Sequence, residues 1–265
     1  MSGAADTNNA KQYGDSRKLA ARARLNQEYT ITETPWFDWV AGQLPLQPGS
    51  SVLDIGCGPA WFWASIAGML PDGIDLTLAD LSPGMVKEAV QRCQNLPLSA
   101  VRGVEANATE LPFADASFDL VIAMHMLYHV RDQEKALAEM HRVLKPGGTL
   151  AVTTNGIGDT RKLYELGTAF GGTPYNIVAT YFGYDAAEQK LLARFGNVTM
   201  AEHPATMRIT DPEDVFLALT SYPPGDAASE PELALFRTRI DEAFAAGGGV
   251  IETDKQAGLF ISRKT

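Results

Sequence analysis

An α/β fold, wound in both directions about a mostly parallel sheet, is predicted by three observations. Short apolar runs alternate with helical stretches five times between residues 50 and 154, joined by short links. The first of these runs breaks into Gly56-Cys57-Gly58-Pro59 and re-emerges as a helix over 61–67. Two further runs, at 197–202 and 258–263, supply a sixth and a last strand after a looser stretch.

Each element has its own signal. Residues 1–10 are polar and read as a disordered tail, and 11–28 read as a helix from the spacing of Leu19, Ala20, Ala23 and Leu25. A second helix comes next, with Thr34 as its cap and Pro35 at its first position. Strands are expected at 51–55, 74–80, 99–104, 118–124 and 149–154. Between them, Ser82-Pro83 is a strong helix start, and Lys145-Pro146-Gly147-Gly148 closes the helix over 133–144. Helices are also expected over 161–170, 186–195, 211–219 and 232–245. Residues 11–46 and about 205–247 do not fit the alternation. They read as an N-terminal helical cap and a cap or lid insertion in a core of 47–265, both over the carboxyl ends of the strands, where such sheets bind ligands.

Composition excludes several classes. No apolar run approaches the roughly 20 residues that span a bilayer. The first residues lack the basic-then-apolar order of a signal peptide, and two cysteines do not make a disulfide framework, so a cytoplasmic location is expected, with no membrane partner. A formal charge of −10 argues against a nucleic-acid partner, whose phosphates need a basic face.

A glycine turn between strand and helix brings bare backbone amides to one point, which suits a ligand that lies against the chain. A dinucleotide site wants a small residue at the third position of Gly-x-Gly-x-x-Gly, and Trp61 stands there. Other features point elsewhere: Val52-Leu53-Asp54-Ile55-Gly56-Cys57-Gly58; Asp80 followed by Leu81-Ser82-Pro83-Gly84-Met85; Asn107-Ala108 with Leu111-Pro112-Phe113 and Ser117-Phe118-Asp119; and Arg142-Val143-Leu144-Lys145-Pro146-Gly147-Gly148. In this order and spacing they resemble the class I (Rossmann-like) S-adenosylmethionine-dependent methyltransferases over most of residues 50–154.

The resemblance implies a seven-stranded sheet with helices on both faces and an antiparallel last strand, and S-adenosylmethionine as cofactor. It implies that Gly56 and Gly58 let the backbone approach the methionine part and ribose, and that Asp54 faces the ligand's ammonium group. Asp80 would accept both ribose hydroxyls, Leu81 and Met85 would sandwich the adenine, and Asn107 with Ala108 would read its edge, the Asn107 carbonyl accepting from the amino group. Tyr13, Arg22 and Tyr29 would fold over the ligand. Two positions depart from the family: Ala60 where Gly is common, and Asn107 where Asp is commoner. The residues alone also allow plainer roles, with Asp54 capping the turn, Met85 in the core and Cys57 as a small filler.

The segment from Met124 through His125 and Tyr128 to His129 borders the sulfonium in the family, with a backbone carbonyl near the ligand's ammonium group. A histidine at a strand end suits removal of a proton from an acceptor, so His125 and His129 are the candidate catalytic residues, against a purely structural role for either. No metal site is expected, because the two histidines have no evident carboxylate or cysteine partner. Acidic balance and an aromatic-rich cap (Trp36, Trp39, Tyr175, Tyr181, Phe216 and Tyr222 among them) favour a small-molecule acceptor. The alternatives are a protein or nucleic-acid acceptor, or a non-catalytic protein that binds S-adenosylmethionine.

Overall fold

The computed structural model describes residues 17–265, with side chains from Ala23 onward. The 1–10 tail, Tyr13 and the side chain of Arg22 therefore lie outside the described residues. Among the described residues the strands are β1 (Thr30–Ile31), β2 (Ser51–Ile55), β3 (Asp75–Asp80), β4 (Ala100–Glu105), β5 (Phe118–Met124), β6 (Leu144–Asn155), β7 (Thr199–Glu202), β8 (Thr206–Ile209), β9 (Ile251–Asp254) and β10 (Ala257–Arg263).

The described chain divides into two compact units. One contains residues 34–154, 181–202 and 258–265, and the other contains the described part of 1–33 with 155–180 and 203–257. The first holds a seven-stranded sheet in the order β4-β3-β2-β5-β6-β10-β7. Strands β2 to β6 pair in parallel. Gly147 and Gly148, in β6, exchange backbone bonds with Lys264 just past β10, so the last strand runs against β6; it also runs against β7. This is the predicted seven-stranded arrangement with one antiparallel strand.

The chain winds outward from β2 through β3 to β4, then returns to the other side of β2 as β5 and β6. The switch point lies between β2 and β5, and the segments that leave the carboxyl ends of those two strands meet there. Alternation along each strand separates two apolar layers. Leu53, Ile55, Val121 and Ala123 face one layer with the helices Gln133–Val143 and Tyr184–Phe195. Val52, Leu120 and Ile122 face the other, with Trp36–Ala41, Trp61–Ser65 and Pro83–Cys93. Asp54, two residues on from Val52, points into this second layer.

The helix starts follow local chemistry. Ser82 accepts from the Met85 amide with Pro83 at the first turn, as its sequence predicts. The Trp36–Ala41 helix begins one residue later than expected, with Pro35 rather than Thr34 at its cap position and no side-chain cap bond. Its Val40 and Ala41 pack into the sheet unit with Trp63 and Ile74, so residues 34–46, read from sequence as part of the cap, fold with the sheet.

The second unit differs from the expected all-helical cap. It contains an antiparallel sheet in the order β1-β8-β9, packed with Leu25, Leu163, Phe236, Ile240 and Phe244. Thr206–Ile209 and Ile251–Asp254 each alternate exposed and buried positions. Four-residue strands carry too little periodicity to be separated from loop by pattern alone.

Candidate functional site

The turn after β2 is shaped by backbone requirements. Gly56, Gly58 and Ala60 all take left-handed conformations, with φ of 68°, 51° and 57°. The amides of Gly56 and Cys57 both donate to the carbonyl of Ala79 at the end of β3, at 2.7 and 3.0 Å. A Cβ on Gly56 would stand 2.8 Å from Cβ and Cγ of Met126, whereas one on Gly58 would meet nothing within 4 Å. Gly58 thus leaves open space over a bare backbone, and Gly56 makes room for Met126. Gly56→Ala meets both the clash and the left-handed backbone. It is expected to cost about 2–4 kcal/mol, read as a lowered midpoint in urea unfolding.

Asp80, at the end of β3, joins this turn to the next helix. Its Oδ2 accepts from the Gly58 amide at 3.0 Å and its Oδ1 from the Ser82 amide at 2.8 Å. Burial lifts its carboxyl above the ordinary carboxylate range, and the Ser82 and Gly58 amides oppose the shift. Each oxygen keeps acceptor capacity beyond these bonds.

Asp54 is enclosed more fully, with 3% of its surface exposed. The Trp63 indole N–H donates to its Oδ2 at 2.8 Å, while its Oδ1 is buried with no hydrogen-bond partner. Burial pushes this carboxyl up to about 7; the Trp63 bond opposes the rise and the charge of Asp80 adds to it. A buried acceptor left open costs about 1–3 kcal/mol, so this oxygen fits a ligand that brings a donor. Burial also raises the Cys57 thiol well above its usual value, which makes it a filler of the loop rather than a nucleophile.

The remaining predicted contacts divide. Leu81 is 63% exposed and offers an apolar face beside Asp80. Met85 is 1% exposed and closed off as core, so it presents no wall to a ring. Asn107 is exposed, but its Oδ1 already accepts from the amide and hydroxyl of Thr109, both at 3.0 Å. What it has left to offer is its amide NH2, a donor to a ring nitrogen rather than an acceptor from an amino group. The loop after buried Ala108 is clamped from the helix Gln133–Val143. Arg142 donates to the carbonyls of Phe113 and Leu111 at 2.7 and 3.0 Å, and Glu139 accepts from the Leu111 amide at 2.8 Å.

On the other side of the switch point, half-buried Met124 ends β5 and packs into the layer of Trp63. His125 comes next with φ of 49°, a conformation costing a non-glycine residue about 1–2 kcal/mol. Its amide donates to both the carbonyl and the hydroxyl oxygen of Thr153, at 3.0 and 3.1 Å, which holds the backbone there. Its ring lies 5.6 Å from that of Trp36, which stacks on Trp39 at 5.5 Å. His129 is exposed at the end of a 3-10 turn, its ring edge against Tyr128 at 4.6 Å. Among the described residues, no three or more His, Cys, Asp or Glu gather as a metal site would require.

The structure therefore bonds Gly58 to Asp80, bonds Asp54 to Trp63 just before the same glycine turn, and sets His125 beside an aromatic pair. Trp63 and Thr153 were missed from sequence. Each acts through a contact between elements that leaves no mark on local pattern.

A doubly wound sheet with a glycine turn and an acid at consecutive strand ends is a Rossmann-like α/β arrangement. Residues 53–152 match the family model described as "Methyltransferase domain", and the chain has the class I S-adenosylmethionine-dependent methyltransferase fold. It is 40% identical over 108 residues to the ubiquinone/menaquinone biosynthesis C-methyltransferase of Psychromonas ingrahamii. That match spans 40% of this chain and 43% of the relative, so the chain covers under half the length of the curated relatives it resembles. Among solved structures, a [4+2]-cyclase, SpnF, superimposes with a TM-score of 0.57 and 18% identity, over 96% of this chain and 95% of that one. Haemonchus contortus phosphoethanolamine N-methyltransferase 2, in complex with S-adenosyl-L-methionine, gives 0.57 and 19%, over 98% of this chain and 59% of that one.

Proposed function

We propose that this protein binds S-adenosylmethionine at the β2–β5 switch point and moves its methyl group to a small-molecule acceptor by in-line displacement. The observation that carries the reading is the open acceptor capacity of the two acids, Asp54 and Asp80, at the glycine turn. Asp80 holds the Gly58 and Ser82 amides and keeps acceptor capacity, while the buried Oδ1 of Asp54 lacks a donor. A ligand with two adjacent hydroxyls and an ammonium group answers both.

S-adenosylmethionine supplies an electrophilic methyl group on its sulfonium. Asp80 accepts from the ribose hydroxyls, Asp54 Oδ1 from the ammonium, and Leu81 lies against the adenine. Asn107 donates to a ring nitrogen, with the Ala108 backbone beside it. The backbone of Met124 borders the sulfonium. His125 takes the proton that an acceptor hydroxyl or carbon must lose, and His129, exposed on its turn, is the second candidate. Positioning within near-attack distance and exclusion of water do most of the work in such a displacement.

The stacked pair Trp36–Trp39 beside His125 suits a flat apolar acceptor. Relatives are named as ubiquinone/menaquinone biosynthesis C-methyltransferases and demethylmenaquinone methyltransferases, so a quinol-type ring compound is the first acceptor class to try. The formal charge of −10 weighs against a nucleic-acid acceptor. Among the described residues no helix is long and apolar enough to cross a membrane.

One observation favours a second reading. The fold is shared with a protein named as a cyclase, and a fold alone does not set a reaction. Incubation with S-adenosylmethionine and quinol acceptors, with products read by mass spectrometry, separates the two. Equal amounts of S-adenosylhomocysteine and methylated product are expected. Tight binding of the cofactor with no S-adenosylhomocysteine from any acceptor would count against transfer and for the second reading.

A further inference from the structure

We propose that Trp63 is a positioning residue for the cofactor: its indole N–H holds Oδ2 of Asp54 and leaves Oδ1, which receives no donor, for the ligand's ammonium group, so that cofactor binding expels a proton from Asp54. This rests on the reading of the switch point as an S-adenosylmethionine site and adds to it a residue and a proton.

The geometry begins with the direction of Asp54. Its strand neighbours in register are Leu78 and Ile122, both fully buried and apolar, so neither offers it a partner. The helix Trp61–Ser65 brings Trp63 over the carboxylate, with the whole indole buried in the second layer of the sheet unit. An indole has one donor and no acceptor, so it can satisfy one oxygen and cannot protonate or be protonated. The rigid ring also sets which oxygen it satisfies. Asp54 is thus held in one orientation, with Oδ1 the oxygen that receives no donor.

The charges around it explain why a proton accompanies the ligand. Asp80 at the end of β3 repels a charge on Asp54. Cys57 in the turn and Cys93 on the helix Pro83–Cys93 are held neutral, their thiols raised by burial. Arg92, next to Cys93, turns its guanidinium to the carbonyl of Pro59. Among the described residues the carboxyl has one hydrogen bond, from Trp63, and no ion pair, and burial pushes it up to about 7, so close to neutral pH a substantial fraction is protonated. An arriving ammonium group favours the carboxylate, and the proton leaves. Affinity therefore rises with pH, by up to about tenfold per unit below 7, and levels off above it.

Trp63→Phe keeps an aromatic ring in the core but removes the donor. Without the indole bond the carboxylate is harder to form, so the pH at which affinity levels off moves upward. Calorimetric titration of the full chain with S-adenosylmethionine, in two buffers of different ionisation enthalpy from about pH 6 to about pH 8, reads both affinity and protons released. The range stays at or below about 8 because a ligand α-amino group titrates there. Asp54→Asn measures the ligand's own share.

Wild type is expected to release part of a proton near pH 7 beyond the ligand's own share, and Asp54→Asn to show that share alone. Trp63→Phe is expected to lose about tenfold in affinity near pH 6.5 and less than about twofold near pH 8. An equal loss at both pH values would mean that Trp63 only packs, and proton release unchanged in Asp54→Asn would remove Asp54 as its source; either result overturns the proposal while leaving the cofactor assignment intact. Failure of wild type to bind S-adenosylmethionine at any of these pH values would overturn that assignment, and this proposal with it.

Discussion

Asp80→Ala is expected to weaken binding of S-adenosylmethionine by about a hundredfold, with the fold retained. The carboxylate is placed to accept two hydroxyls in a charge-assisted fork, and each such bond contributes about 1.5–3 kcal/mol when its partner is ionised. The same carboxylate fixes the amides of Gly58 and Ser82, so its removal also loosens the turn that the ligand lies against. Two bonds at the lower figure give roughly 3 kcal/mol, hence the hundredfold. Calorimetry checks it, with circular dichroism to confirm that the sheet is intact. Binding within about threefold of wild type would show that the ribose sits elsewhere.

His125→Ala is expected to lower kcat by about a hundredfold or more while cofactor affinity stays within about twofold. The ring sits beside Trp36 at the end of β5, where the backbone is held in a left-handed conformation by two bonds to Thr153. A strained non-glycine residue at a switch point is retained where its side-chain direction matters. Alanine removes the imidazole but leaves the amide bonds to Thr153, so a drop in kcat without a change in cofactor affinity separates proton removal from scaffolding. The parallel variant His129→Ala is expected to keep most of the activity, because that ring is exposed on its turn. Reversal of the two results would move the role of base to His129.

Much of the sheet unit was legible in the sequence because its signals are local. Ser82-Pro83 starts a helix and β5 appears with the bounds its apolar run predicts, whereas Lys145-Pro146-Gly147-Gly148, read as the turn after a helix, is taken into β6, which begins at Leu144. Asp54 and Asp80 could be marked because their places relative to the glycines are set by one strand leading into one turn. Features that could not be read depended on contacts between elements. The bond from Trp63 to Asp54 needs the layer to be packed before it exists. Met85 shows the same limit: helical spacing puts it on the inner face, but only packing shows that it is closed off.

Asn107 is different, since its turn with Thr109 is a local Asn-x-Thr motif and was open to being read. That turn engages its carbonyl oxygen, so in the proposed site Asn107 offers a donor rather than an acceptor. The small sheet of β1, β8 and β9 escaped for another reason. Its strands are at most four residues long, and strand-to-strand pairing rather than propensity stabilises them.

The central claim is that the turn after β2, with Asp54 and Asp80, is built for S-adenosylmethionine. Calorimetric titration near pH 8, where Asp54 is ionised, tests it most directly. The account predicts one site per chain with a Kd in the micromolar range or below, unaffected by a nicotinamide dinucleotide present in excess. Absence of binding, or displacement of S-adenosylmethionine by the dinucleotide, would contradict it.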